Sequence, residues 1–108
     1  MVFTGGAIGV RDERLLDSAI GSIYQTFDGA ELYPTKEEKG AKLGFSLISN
    51  HAFLDGNKRV GMLAMLSFLE INGIRLNCAD NEICAMGMGV ASGKYAYDDL
   101  LKFVLNHK

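Results

Sequence analysis

The residues best suited to chemistry lie in one stretch, residues 51–59, which reads His-Ala-Phe-Leu-Asp-Gly-Asn-Lys-Arg. It combines an imidazole, a carboxylate, a glycine, an amide and two cations. An imidazole titrates near neutral pH when unperturbed, which makes His51 a candidate general base for proton abstraction. Magnesium binds one carboxylate together with phosphate oxygens and water, so the carboxylate of Asp55 is a candidate metal ligand beside a phosphate.

The second half of the stretch predicts an anion site at the start of a helix. The helix should begin at about Asn57, and a helix N-terminus presents unpaired N–H groups and partial positive charge. Gly56 allows the backbone to approach an anion closely. Lys58 and Arg59 add full charges, and the Arg59 guanidinium can bind phosphate through two parallel hydrogen bonds. Cations at a helix N-terminus are repelled by its partial positive charge, so their presence here favours a site at which an anion binds beside them.

Each of these residues also has an ordinary structural interpretation. A lone histidine before a helix is more often a capping or solvated residue. Asp-Gly at residues 55–56 is a common turn, and Phe53 is a core anchor under either interpretation. The joint occurrence of these residue types is what favours a functional site.

Five helices are predicted around this stretch, as an all-α array with short connections. We expect them at residues 12 or 13 to 26, 36 to about 50, 57–72, 80 to about 92, and 97–106. The third is apolar over most of its circumference, which predicts a central position in the domain. In the first, the inward stripe should comprise Leu15, Leu16, Ala19, Ile20, Ile23 and Phe27, and in the fifth the inward residues should be Leu100, Leu101, Val104 and Leu105.

The segment before the second helix should form a loop or short hairpin. Asp28-Gly29 is a turn signal, and Pro34 ends any helix. Thr35 and Glu38 then fit a capping box that starts the second helix.

Composition excludes several classes of protein. The 108 residues fit one domain. A net charge of −2 counts against nucleic-acid binding through bulk charge. No apolar run reaches the length of a membrane span, and the first residues lack the features of a secretory signal. Cys78 and Cys84 have no metal-ligand spacing, which favours reduced cysteines in a cytoplasmic protein.

The pattern H-x-F-x-D-G-N-x-R over residues 51–59 resembles the signature loop of the Fic/Doc family. Lys58 before Arg59 is similar to the Doc branch, the toxins of addiction modules. The likeness runs from about Gly5 to the end of the chain. It implies one compact Fic-like helical domain over residues 1–108, with a flap before the second helix. Relatives usually have a helix before the position of Gly5, so either the given sequence starts late or the domain lacks this helix. The second case would leave apolar surface for a partner or a homodimer.

Two departures from the Fic pattern bear on the expected reaction. Fic enzymes that transfer AMP typically have Gly at the position of Lys58 and a second Arg at the position of Met62. The resemblance therefore implies a Doc-type reaction, in which the γ-phosphate of ATP passes to a Ser or Thr hydroxyl of elongation factor Tu and translation stops. Gly56 matches the Fic form of the loop, and AMP transfer is the alternative.

The resemblance also implies residue roles and partners. The catalytic residues would be His51, Lys58 and Arg59, and Mg²⁺ would bind Asp55. The ATP phosphates would lie against Gly56, Asn57, Lys58 and Arg59. The target would pair with a flap at Leu32, Tyr33 and Pro34. No glutamate lies in the Ser/Thr-x-x-x-Glu-Gly/Asn pattern of self-inhibited Fic proteins. Inhibition should then come in trans from a Phd-like antitoxin.

Two alternatives come from other functional classes. One is an inactive binding module, which the intact motif argues against. The other is a helix-turn-helix DNA binder, which the acidic composition argues against. We expect no direct DNA binding and no membrane association.

Overall fold

The structure, a computed structural model, describes residues 13–49 and 57–108. Within these ranges the chain forms five helices and one short hairpin, which confirms the predicted all-α array. The elements in chain order are α1 (Glu13–Ser22), β1 (Thr26–Phe27), β2 (Ala30–Glu31), α2 (Lys36–Ser49), α3 (Asn57–Ile71), α4 (Asp80–Ala91) and α5 (Tyr97–His107). The first twelve residues, where the missing N-terminal helix was considered, lie outside the described ranges.

The central helix of the domain is α2, whereas the sequence predicted α3 for this position. α2 packs against all four other helices, while α3 packs against α2 and α4. One face of α2 places Leu43 and Leu47 against α1, and another places Ala41 and Ile48 in the main core with α3, α4 and α5. α3 keeps a solvent side, on which Leu63 is 44% exposed.

Local signals set most of the helix ends. The Glu38 N–H donates to Thr35 Oγ1 at 3.1 Å, and the Thr35 N–H donates to the Glu38 carboxylate at 3.2 Å, which confirms the capping box of α2. Gly73 and Gly93, which follow α3 and α4, adopt the left-handed conformation that ends a helix.

The first helix is shorter than predicted, because it ends at Ser22 and not at Thr26. Thr26 pairs instead with Glu31 in the hairpin. Ala19 and Ile23 are buried as expected, but Ile20 and Phe27 are exposed. The predicted helix is therefore too long at its C-terminal end, because the backbone of Thr26 and Phe27 pairs with β2 in the hairpin.

The fifth helix has a different inward face at its C-terminal end. Leu100 and Val104 are buried as predicted, whereas Leu105 is 46% exposed and Phe103 takes its place in the core. The Phe103 ring stacks near the His107 ring at 4.2 Å between centroids. No helix within residues 13–49 and 57–108 is long and apolar enough to cross a bilayer.

Candidate active site

The helices α2 and α3 form an antiparallel pair in close contact. Along α2, Gly40 lies against Leu69, Gly44 against Met65, and Ile48 against Gly61, so residue numbers rise on one helix as they fall on the other. A Cβ built on Gly61 would lie 2.5 Å from Cγ1 of Ile48. The C-terminal end of α2 is therefore beside the N-terminal end of α3, and residues 50–56 connect these two ends.

The N-terminus of α3 has the features expected of an anion site. The helix begins at Asn57, as predicted, and its first turn contains no acidic residue. Arg59 is exposed in this first turn. Backbone N–H groups at the first turn lack partners within the helix, so they add to the attraction of an anion.

The structure places only part of the predicted site. Arg59 is described fully, and Asn57 and Lys58 are described as backbone of the first turn of α3. Three predicted site residues lie outside the described residues, namely His51, Asp55 and Gly56. Among the described residues, no group of three His, Cys, Asp or Glu side chains is arranged to hold a metal ion. The proposed roles in base catalysis and metal binding stay predictions.

A cleft of about 320 Å³ lies between α1 and α2. Its lining includes four serines and one lysine, namely Ser18, Ser22, Ser46, Ser49 and Lys42. The hydroxyls of Ser22 and Ser46 are 3.3 Å apart across it. Ser49, the last described residue of α2, is the lining residue nearest in sequence to the connector at residues 50–56.

The segment predicted to be a loop or short hairpin is a hairpin. Thr26 pairs with Glu31 and Phe27 with Ala30, around a two-residue loop of Asp28 and Gly29. Both loop residues have positive φ, 55° and 83°, as a type I′ turn requires. This turn matches the twist of the two strands, and the Asp-Gly pair was the signal that predicted it.

The three residues assigned to a target flap differ in exposure. Leu32 is 47% exposed and Pro34 is exposed, whereas Tyr33 is half-buried. The Tyr33 ring lies edge-on to the Tyr97 ring, with centroids 5.4 Å apart, and Lys42 Nζ lies 5.4 Å from the Tyr33 ring centroid. Tyr33 is thus packed against the helices, while Leu32 faces solvent.

The sequence interpretation missed Lys39 and Tyr97. Lys39 Nζ lies 2.9 Å from a carboxylate oxygen of Glu31 and also donates to the backbone carbonyl of Tyr33. Tyr97 donates its hydroxyl to the Glu38 carbonyl at 3.3 Å. Burial raises the pKa of Tyr97, with a further contribution from the nearby Glu38 carboxylate, so this hydroxyl stays a donor. No sequence signal marked these residues, because their partners come from other elements.

The comparison with known families bears directly on this arrangement. The model of the Fic/DOC family matches residues 1–69, which include α1, the hairpin, α2, the connector and most of α3. The chain therefore belongs to the Fic/DOC family. The matched segment contains every residue assigned to the site, so the resemblance inferred from the signature loop is confirmed at the level of the family.

This Fic/DOC chain is similar to a curated relative named Toxin Doc from Mycolicibacterium smegmatis (strain ATCC 700084 / mc(2)155). The two are 46% identical over 72 residues, which are 67% of this chain and 55% of the relative. The chain thus spans about half the length of the relative it matches. No solved structure matches the chain.

Proposed function

We propose that this Fic/DOC chain is a Doc-like toxin that transfers the γ-phosphate of ATP to a Ser or Thr hydroxyl of a target protein. The signature residues 51–59 extend from the connector between α2 and α3 into the first turn of α3, which begins at Asn57 and exposes Arg59. This placement puts the helix N-terminus and an exposed guanidinium at the same end of α3, and it is the observation that carries the proposal. Elongation factor Tu is the proposed target, and the proposed outcome is arrest of translation in the cytoplasm.

Phosphoryl transfer needs positioning and charge neutralisation more than covalent chemistry from the protein. We propose that His51 acts as the general base and accepts the proton of the incoming hydroxyl. The hydroxyl oxygen forms the new bond to the γ-phosphorus while the bond from this phosphorus to the ADP oxygen breaks. Backbone N–H groups of Gly56, Asn57 and Lys58 would stabilise the charge on the transferred group, together with the Lys58 and Arg59 side chains. Asp55 is the residue that would hold Mg²⁺, which neutralises phosphate charge when bound.

The position of Met62 favours phosphate transfer over AMP transfer. In AMP-transferring relatives the resemblance places a second arginine at this position. Met62 is 1% exposed and belongs to the main core of the domain. The Met62 thioether is buried and carries no charge, so the phosphate contact expected of a second arginine in AMP transfer has no counterpart at this position.

Isotopic labelling of the transferred group tests the reaction. The purified chain is incubated with elongation factor Tu, Mg²⁺ and ATP labelled at either the γ- or the α-phosphate. We expect label on the target from γ-labelled ATP only. Label from α-labelled ATP would establish AMP transfer, and no label from either would favour an inactive binding module.

Two variants test the assigned roles. His51→Ala should lower the transfer rate by about 10²- to 10⁴-fold, as loss of a general base does. His107→Ala is the matched control, because it removes the second of the two histidines in the chain and leaves the rate unchanged. Asp55→Asn should act through metal affinity and recover part of its activity at high Mg²⁺. Full activity in His51→Ala would exclude His51 as the base.

We also propose that a Phd-like antitoxin inhibits this domain in trans. A segment that folds into an amphipathic helix on binding suits such a partner, because the free form is readily degraded. Expression of the chain alone should arrest growth, and expression together with the protein encoded next to it should not. Normal growth with soluble, unaltered chain would contradict the assignment as a toxin.

A further inference from the structure

Lys39 is an unusually buried cation that contacts the hairpin at two points. Its side chain is 12% exposed. Its ammonium pairs with the Glu31 carboxylate at the end of β2 and donates to the carbonyl of Tyr33, two residues further on. A lysine is rarely buried to this extent unless its charge is paired, so these contacts hold the ammonium in place.

The same end of the hairpin is fixed by aromatic contacts. The Tyr33 ring meets the Tyr97 ring at 71°, an edge-to-face arrangement that aromatic pairs prefer. The ammonium of Lys42 lies over the same ring. The exit of β2 is therefore attached to both α2 and α5.

The turn end of the hairpin, unlike the exit of β2, is exposed. Its strands are two residues each, and Phe27 beside the turn is 74% exposed. A two-stranded hairpin of this size is marginally stable in water without packing against another element. Its direction relative to α2 therefore depends on the contacts of Glu31 and Tyr33.

We propose that Lys39 is a positioning residue, which fixes the hairpin at the angle at which it presents the protein substrate. This inference rests on the proposed function and on the expectation that the target pairs with the flap at Leu32, Tyr33 and Pro34, which directly follows β2. One ammonium links a side chain of β2 to the backbone that follows it, so its loss frees both points together. The consequence should fall on the protein substrate and not on ATP.

The experiment compares Lys39→Met, which keeps the length of the side chain without its charge, with Lys39→Arg, which keeps the charge. Lys102→Met is the matched control, since Lys102 is exposed on α5. Hydrogen–deuterium exchange of the free proteins reports on the hairpin, including the Leu32 amide that donates to the Gln25 carbonyl. Transfer from ATP to elongation factor Tu gives KM for each substrate and kcat.

We expect faster exchange confined to the hairpin in Lys39→Met. The KM for elongation factor Tu should rise about three- to tenfold, the effect of losing a partly exposed ion pair together with one ordinary hydrogen bond, with kcat and the KM for ATP within about twofold. Lys39→Arg should recover most of both changes, and Lys102→Met should match the wild type.

Unchanged hairpin exchange in Lys39→Met would overturn the proposal, as would faster exchange with an unchanged KM for the protein. An equal rise in KM for elongation factor Tu and for ATP, together with faster exchange throughout the chain, would also overturn the proposal. Lys39 would then act on the stability of the whole domain. Absence of transfer in the wild type would instead overturn the proposed function. The exchange data would still support or refute the anchoring of the hairpin by Lys39.

Discussion

Gly61 permits the close contact that sets the C-terminal end of α2 beside the N-terminal end of α3. A Cβ at this position would lie 2.5 Å from Cγ1 of Ile48 and 3.1 Å from the carbonyl oxygen of Gly44. Ile48 is fully buried, and the second neighbour is backbone. Neither can yield without a shift of α2, so we predict that Gly61→Ala destabilises the domain.

The size of the effect follows from two opposing contributions. Overpacking a close core contact costs about 1–3 kcal/mol, and the upper half of this range applies because Cγ1 lies near the root of the Ile48 side chain. Replacing Gly by Ala within a helix returns about 1 kcal/mol. The net loss in free energy of unfolding is therefore roughly 1–2 kcal/mol. At about 4–8 °C per kcal/mol for a domain of this size, Tm should fall by about 5–15 °C.

Urea and thermal unfolding followed by far-UV circular dichroism measure this loss. Gly21→Ala is the matched control, because a Cβ there meets nothing within 4 Å, and it should gain about 0.5 kcal/mol. In an Ile48→Ala background, Gly61→Ala should cost at least about 1 kcal/mol less than in the wild type. If Gly61→Ala is as stable as Gly21→Ala, or costs the same in both backgrounds, the contact with Ile48 does not limit the approach of the helices.

Three further perturbations test other contacts. Gly89→Ala should lower the free energy of unfolding by roughly 1–2 kcal/mol, because a Cβ there would overlap the Tyr95 ring and the helix propensity of Ala offsets about 1 kcal/mol of that cost. A urea midpoint equal to that of the wild type would contradict this. Thr35→Ala should cost about 1 kcal/mol by removing the α2 cap, whereas Thr35→Ser should cost far less in the same urea titration. His107 lies 3.0 Å from the Glu82 carboxylate. The pKa of the imidazole is raised first by the Phe103 carbonyl and then by this carboxylate, and the pKa of the Glu82 carboxyl is lowered first by the Ala79 N–H and then by the imidazole. The stability that the wild type gains over Glu82→Gln should therefore be greatest at roughly pH 5–6.5 and decline as pH rises through the raised imidazole pKa or falls through the lowered carboxyl pKa, and a pH-independent difference would refute the coupling.

Sequence alone determined the features that depend on a few neighbouring residues. The Asp28-Gly29 pair predicted the turn, because two consecutive positive φ values favour these residue types. Thr35 and Glu38 predicted the start of α2, because a capping box needs only a hydroxyl and a carboxylate three residues apart. The signature loop predicted the family, since its residue types and spacing are specific, and the family match confirmed it.

Tertiary structure decided which helix is central and which residues anchor the hairpin. α3 is the more apolar helix, yet α2 packs on every other helix, and its glycines allow close approach to α3. The contacts of Lys39 with Glu31 and Tyr33 likewise depend on how the hairpin folds back on α2. Periodicity reports how apolar a helix face is, but the neighbours that cover that face come from distant parts of the chain and are fixed only when the whole domain packs.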